Sequence, residues 1–247
     1  MNILLEFLKI DKADPVAITF FTGYMAMFAS SVFFFFERAS VDGKWRTSLL
    51  VSALITGIAA VHYYYMRDYY LNTHETPTAL RYIDWSLTVP LMCVEFYLLL
   101  KPAGASKGLM WRLIIAGAWM LITGYIGEAF SDGNSLKVNA WGLISTLGYV
   151  YILYTAMFGE AKRLADASNN TGVQKAIRTL GLFVLIGWGI YPIGYMAMPG
   201  GLLSSFIEPK NLDLIYNLGD AVNKIGFGFV VYALAVSETA KTKVAIA

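Results

Sequence analysis

The sequence predicts an all-α membrane protein: a bundle of seven transmembrane helices, N-terminus outside the cell and C-terminus in the cytoplasm. Three observations carry this. The 247 residues are 57% hydrophobic, 15% aromatic and only 15% charged, where a soluble domain is about 25% charged. Long apolar stretches recur, each long enough to cross ~30 Å of hydrocarbon as a helix. Lysine and arginine fall mostly on alternate connections, as the positive-inside rule requires.

The spans are placed at residues 14–37, 45–67, 78–101, 107–128, 136–160, 174–198 and 210–237. Between them lie "ERASVDGKWR", "RDYYLNTHETP", "KPAGASKG", "SDGNSLK", "EAKRLADASNNTGVQK" and "MPGGLLSSFIEPKN". Barrel strands would be ~10 residues with strict alternation, and no segment alternates that way. There is no soluble domain or repeat, so 1–247 reads as one domain. The start, "MNILLEFLKIDKADP", is a poor signal peptide: its apolar run is short and holds Glu6 and Lys9. The first span is expected to insert by itself.

Orientation follows from the basic residues. Connections one, three and five with the C-terminal tail hold Arg38, Lys44, Arg46, Lys101, Lys107, Arg112, Lys162, Arg163, Lys175, Arg178, Lys241 and Lys243. The opposite side holds only Lys9, Lys12, Arg67, Lys137 and Lys210. The net charge of +2 says little about partners, and no basic run suggests nucleic acid. One cysteine, Cys93, excludes an internal disulfide and reads as a small core residue. The "GWGIYPIG" glycines lie inside a span and lack dinucleotide-loop spacing.

Two basic residues remain, Arg81 and Lys224, embedded or nearly so. The acids clearly within spans are Asp84, Glu95 and Asp220, with Glu128 at the outer end of span four. An Asp, Lys or Arg at a helix centre costs about 2.5–3.5 kcal/mol, so such groups face the bundle interior and pair. Ion pairs that only fix helix register are the plainer explanation. The spacing argues for more. In "RYIDWSLTVPLMCVEFYLLL", Arg81, Asp84, Thr88 and Glu95 fall at offsets 0, 3, 7 and 14, one helix face. Asp84 and Glu95 are therefore ~16 Å apart along the axis, Asp84 toward the outside and Glu95 toward the cytoplasm. Lys224 lies near the centre of span seven, with Asp220 one turn outward. A buried amine between acids suits a proton relay. It also suits a Schiff base with an aldehyde. Trp188, Tyr191 and Tyr195 share a face of span six, at offsets 0, 3 and 7. With Trp85 and Pro192 they offer an apolar slot, although such stripes also make ordinary core and a proline can simply kink a helix.

"RYIDWSLTVPL", "WGIYPIGY" and "LIYNLGDAVNKIGFG", in that order, resemble microbial rhodopsins, most closely the proteorhodopsins. The resemblance covers essentially the whole chain. It implies all-trans retinal held covalently by Lys224 as a protonated Schiff base. Asp84 would be primary counterion and proton acceptor, Asp220 second counterion, and Arg81 would sit on their outer side. Trp85, Trp188, Tyr191, Pro192 and Tyr195 would line the pocket. Asp84, Thr88 and Glu95 occupy the family's three discriminating positions. This Asp–Thr–Glu set resembles outward proton pumps, with Glu95 as cytoplasmic donor. Sodium pumps carry Asn, Asp and Gln there, and chloride pumps lack the acidic acceptor.

The resemblance carries further expectations. His62 matches a histidine that hydrogen-bonds the counterion and tunes its proton affinity. The family's homo-oligomers, pentamers or hexamers, set a neighbour's tryptophan near it, and the nearest position here is Phe21. His74 takes no role. Met92 sits at the colour-tuning position, where an apolar side chain resembles green-absorbing members. Gly142 resembles the glycine of rhodopsins whose pocket opens to a carotenoid antenna, though a small residue there also suits plain helix packing. The implied activity is a light-driven outward proton pump in a bacterial-type plasma membrane, a transporter and not an enzyme. The alternatives are a sensory photoreceptor with the same chromophore and a retinal-free transporter using the Lys–Asp pair. The tail "ETAKTKVAIA" is too short for a transducer domain.

Overall fold

A computed structural model describes residues 14–207 and 209–246. The signal-peptide reading, Lys9 and Lys12 fall outside the described residues, as does the side chain of Lys210. The helices are α1 (Pro15–Glu37), α2 (Gly43–Thr73), α3 (Thr78–Leu100), α4 (Lys107–Ala129), α5 (Ser135–Met157), α6 (Glu160–Ala167), α7 (Thr171–Leu182), α8 (Ile190–Ala197) and α9 (Pro209–Ile246). Among the described residues there is no strand. Seven segments are long and apolar enough to cross a membrane; α5 with α6 and α7 with α8 each count as one. Successive spans pack as neighbours, and α9 closes the bundle against α1 and α2.

Local chemistry sets the helix starts. Asp14 accepts from the Val16 and Ala17 amides at 2.9 and 3.1 Å, with Pro15 in the first turn. Ser106, Asn134 and Asn170 cap α4, α5 and α7 in the same way. His74 ends α2 in the left-handed region at φ 55°, its amide returning to the Tyr70 carbonyl at 2.7 Å.

Helix ends differ from the apolar limits. α2 continues to Thr73 and α9 to Ile246, beyond residues 67 and 237. Hydropathy marks where the chain leaves hydrocarbon, while backbone hydrogen bonds continue into the polar zone. For the same reason "EAKRLADA", read as part of a connection, forms α6, with Lys162 and Asp166 paired one turn apart.

The sixth span is broken by a π-helical turn, Phe183–Gly187, between α7 and α8. A π turn shifts the hydrogen-bond register and frees carbonyls. The Tyr149 hydroxyl, from α5, donates to the Val184 and Leu185 carbonyls at 3.1 and 3.0 Å. The outer surface presents Phe28, Phe36, Trp111 and Leu143 to lipid. Inside, Cys93 is a core residue 1% exposed, as its setting suggested.

α4 and α5 approach closely at Gly148, where a β-carbon would lie 2.6 Å from the Ala116 carbonyl oxygen. Gly148→Ala is expected to cost about 1–3 kcal/mol through overpacking, read as a lower thermal midpoint in detergent. Gly43→Ala, which meets nothing within 4 Å, should leave that midpoint unchanged.

Candidate functional site

α9 carries Lys224 to the middle of the bundle, 2% exposed, opposite α3. Its Nζ donates to Asp84 Oδ2 at 3.0 Å and to Asp220 Oδ1. Both carboxylates are buried, at 0% and 1% exposure. The Tyr191 hydroxyl donates to Asp220 Oδ1 at 2.7 Å, and Tyr63 lies beside the same carboxylate. One ammonium thus stands between two carboxylates from different helices. Such a triad survives burial only because its groups compensate one another.

The flanking groups differ on the two sides. Arg81, one turn before Asp84, points away from the pair: its Nη2 donates to Asp213 Oδ1 at 2.7 Å and Asn217 Oδ1 at 2.8 Å. Asn217 in turn donates to Thr19 Oγ1 on α1 at 3.1 Å. On the opposite side Glu95, 0% exposed, accepts from Ser52 Oγ at 2.9 Å. Phe96, Leu99 and Leu100, farther along the same helix, are also buried. The helix face inferred from offsets 0, 3, 7 and 14 is therefore real: Arg81, Asp84, Thr88 and Glu95 are all buried on α3.

His62 reaches the site by a longer contact. Its Nδ1 donates to the Ile58 carbonyl at 2.9 Å and stands 3.5 Å from Asp84 Oδ1. The stronger bond closes a turn of its own helix, so toward Asp84 the ring acts mainly as a nearby dipole or charge. Thr88 Oγ1 donates to the Asp84 carbonyl at 3.0 Å, back-bonding to its own helix and not to the carboxylate.

A cavity of about 390 Å³ opens beside Lys224, within the ~300–1,000 Å³ of pre-formed small-molecule sites. Trp85, Thr88, Met92, Gly142, Trp188, Tyr191, Pro192 and Tyr195 line it, together with Asp220 and Lys224. The Trp85 and Tyr191 rings meet edge-on at 4.9 Å. Polar groups converge at the lysine, and aromatic, aliphatic and methionine side chains form most of the rest. An apolar aldehyde suits this lining, and Lys224 is the amine that could hold it. Gly142 is partly exposed, and a β-carbon there would lie 2.6 Å from Tyr195 Cε1. The glycine thus gives room to the Tyr195 ring, whose hydroxyl donates to the Val138 carbonyl at 2.9 Å.

Sequence reasoning missed Asp213, Asn217, Ser52 and Tyr63. For Asp213 the signal was present: it precedes Asp220 by seven residues and so shares its helix face. Ser52 and Tyr63 are ordinary helix residues until α2 is set against α3 and α9. His74 is the residue that caps α2.

A profile of the bacteriorhodopsin-like protein family matches residues 14–238. The chain is 42% identical over 233 residues to a green-light absorbing proteorhodopsin of Gamma-proteobacterium EBAC31A08, covering 93% of this chain and 90% of that one. The crystal structure of Exiguobacterium sibiricum rhodopsin superposes with a TM-score of 0.80 at 33% identity, covering 91% of this chain and 97% of that chain. That of xanthorhodopsin, a light-driven ion pump with dual chromophore, gives 0.79 at 30% identity, covering 92% and 94%. With its seven membrane-spanning helices and a lysine-centred aromatic cavity, this chain belongs to the bacteriorhodopsin-like family of membrane proteins.

Proposed function

We propose that this protein is a light-driven outward proton pump with retinal attached at Lys224. The observation that carries the reading is the Lys224 amine held between Asp84 and Asp220, with a third carboxyl, Glu95, buried on the same face of α3 eleven residues deeper. A transporter that only needed an ion pair would not require an apolar cavity beside it, nor a carboxyl isolated in the inner half.

Retinal, when bound, supplies absorption of visible light and a change of shape inside the cavity. The protein's residues do the rest. Asp84 Oδ2, 3.0 Å from Nζ, is placed to take the proton from the Lys224 nitrogen. Asp220 Oδ1 already accepts from both Lys224 and Tyr191, which leaves Asp84 as the acceptor. Glu95, with Ser52 as its hydrogen-bond donor, is placed to return a proton from the cytoplasmic side. Trp85, Trp188, Tyr191, Pro192 and Tyr195 exclude water and fix the cavity's shape. Met92, apolar at the cavity wall, favours green absorption.

The same reading takes residues 1–247 as one retinal-binding domain in a bacterial plasma membrane, N-terminus outside, assembled as a pentamer or hexamer. Gly142, at a partly exposed part of the cavity wall, is the position for a carotenoid antenna. The protein is then a transporter and not an enzyme.

Cells expressing the protein with all-trans retinal are expected to acidify their medium in light. A protonophore should abolish the signal, and replacing sodium should not change it. A photocycle of seconds with negligible acidification would instead mark a sensor. Lys224→Ala should abolish the visible band that retinal produces, and a band that persists would refute the attachment. Glu95→Gln removes the internal donor, so protons must then arrive from bulk. Recovery should slow about 10²-fold, and its rate should fall about tenfold per unit rise in cytoplasmic pH, because proton concentration falls tenfold per unit. Flash-induced absorbance measures both.

A further inference from the structure

A line of buried polar side chains runs along α2 toward Glu95, and the pump reading uses only its last member. Trp45, Ser48 and Ser52 fall at offsets 0, 3 and 7, one helix face. They are 2%, 1% and 1% exposed. Ser52 Oγ donates to Glu95 Oε1 at 2.9 Å. Behind it, Ser48 Oγ and the Trp45 indole N–H have no hydrogen-bond partner within the protein, and neither has Glu95 Oε2. Buried hydroxyls elsewhere in the bundle are satisfied by their own helix. Thr19, Ser30, Thr56 and Thr155 each donate to a carbonyl three or four residues earlier. Ser48 makes no such bond.

At the far end of the line, Trp45 is part of the wall of a second cavity of about 110 Å³, shared with Lys44, Ser168, Asn170 and Glu238. Lys44 is exposed, so the cavity lies at the edge of the medium. Its volume is ample for several waters, and its lining supplies the polar partners that each needs. Asn170 Nδ2 and Lys241 Nζ both donate to the Glu238 carboxylate at 2.7 Å, which fixes the α7 and α9 sides of the wall.

Spacing and donor chemistry decide what the line can do. Three residues of helix rise ~4.5 Å and four rise ~6 Å, a gap that one bridging water spans. An indole N–H only donates, whereas a hydroxyl both donates and accepts. Trp45 can therefore orient a water but not pass a proton, and Ser48 can pass one. Ser52 spends its proton on Glu95, so its oxygen is open to a donor from behind. Serines kept only for close helix packing would satisfy their hydroxyls locally, as the others do, and would need no polar cavity at the end of the row.

We propose that Ser48 is a proton-relay residue that recharges Glu95 from the cavity at Trp45, through bridging water and with Trp45 as a positioning residue. Once Glu95 has given up its proton, its carboxylate takes the Ser52 hydroxyl proton: an O–H bond forms on Glu95 and one breaks on Ser52. Ser52 takes a proton from the water behind it, that water from Ser48, and Ser48 from cavity water that draws on the medium. One proton enters at the cavity and one arrives at Glu95, and no group changes oxidation state. This route rests on the pump reading, in which the Glu95 side is the cytoplasm.

The test is time-resolved infrared difference spectroscopy of the full chain with retinal in lipid, run beside a pH dye in the medium. The carboxyl C=O band that Glu95→Gln removes reports the protonation of Glu95. Ser48→Ala should slow the return of that band, and proton uptake with it, about tenfold, the size of one hydrogen bond on the rate scale. The visible band and the earlier transfer from Lys224 to Asp84 should keep their values. Ser48→Thr, which retains the hydroxyl, should restore most of the rate. Trp45→Phe, which keeps a ring and loses the N–H, should slow uptake less than Ser48→Ala, and no slowing would overturn its positioning role. Should Ser48→Ala fail to fold, Ser48→Cys, a weak donor, must show the slowing. A Glu95 band that returns at the unsubstituted rate in Ser48→Ala would overturn the route. So would a Ser48→Thr variant no faster than Ser48→Ala, or a slowing shared equally by the earlier transfer, which marks a packing role. Absence of any light-driven pH change from the unsubstituted protein would overturn the pump, and the route with it.

Discussion

The ammonium of Lys224 between Asp84 and Asp220 is the constraint on which the rest of the molecule depends. A charged group at the centre of a bilayer costs about 2.5–3.5 kcal/mol on insertion scales. Leaving one partner of a buried pair uncompensated costs about 3–5 kcal/mol. The triad therefore commits α3 and α9, 140 residues apart at the contact, to one relative position. Tyr191 must then come from α8 to complete Asp220. Once those three elements are fixed around a lysine, the space beside it becomes a cavity walled by whatever side chains they present.

The surroundings differ on the two sides of that triad. On one side, Arg81, Asp213 and Asn217 form a polar chain that reaches exposed Thr76. On the other, buried Glu95 accepts a hydrogen bond from Ser52. The difference in partners, more than any single residue, makes the site asymmetric.

The sixth span shows how the fold accommodates the cavity. A regular helix would carry its side chains past the site in fixed register. The π turn at Phe183–Gly187 interrupts that register, and Tyr149 satisfies the carbonyls it frees. Trp188 and Tyr191 follow directly and face the cavity. Glycines give the remaining room: Gly142 sits against the Tyr195 ring, and Gly148 lets α4 and α5 touch. Binding space here is made by irregular backbone and missing side chains, both kept inside the protein where lipid does not reach the freed groups.

Much of this was legible beforehand because the physics involved is periodic or costly. Apolar length marked seven spans, and α-helical spacing placed Arg81, Asp84, Thr88 and Glu95 on one face. The expense of a mid-membrane lysine singled out Lys224 and Asp220, and a stripe of rings predicted the cavity wall. What tertiary structure alone decided concerns groups whose meaning depends on a neighbour. Ser52 matters because α2 sets it against Glu95, and Asp213 because it takes Arg81 away from the triad. His62 matters because packing of α2 against α3 sets its ring 3.5 Å from Asp84. Helix periodicity assigns a residue to a face of its own helix. Which group on another helix meets that face is settled only when the bundle packs.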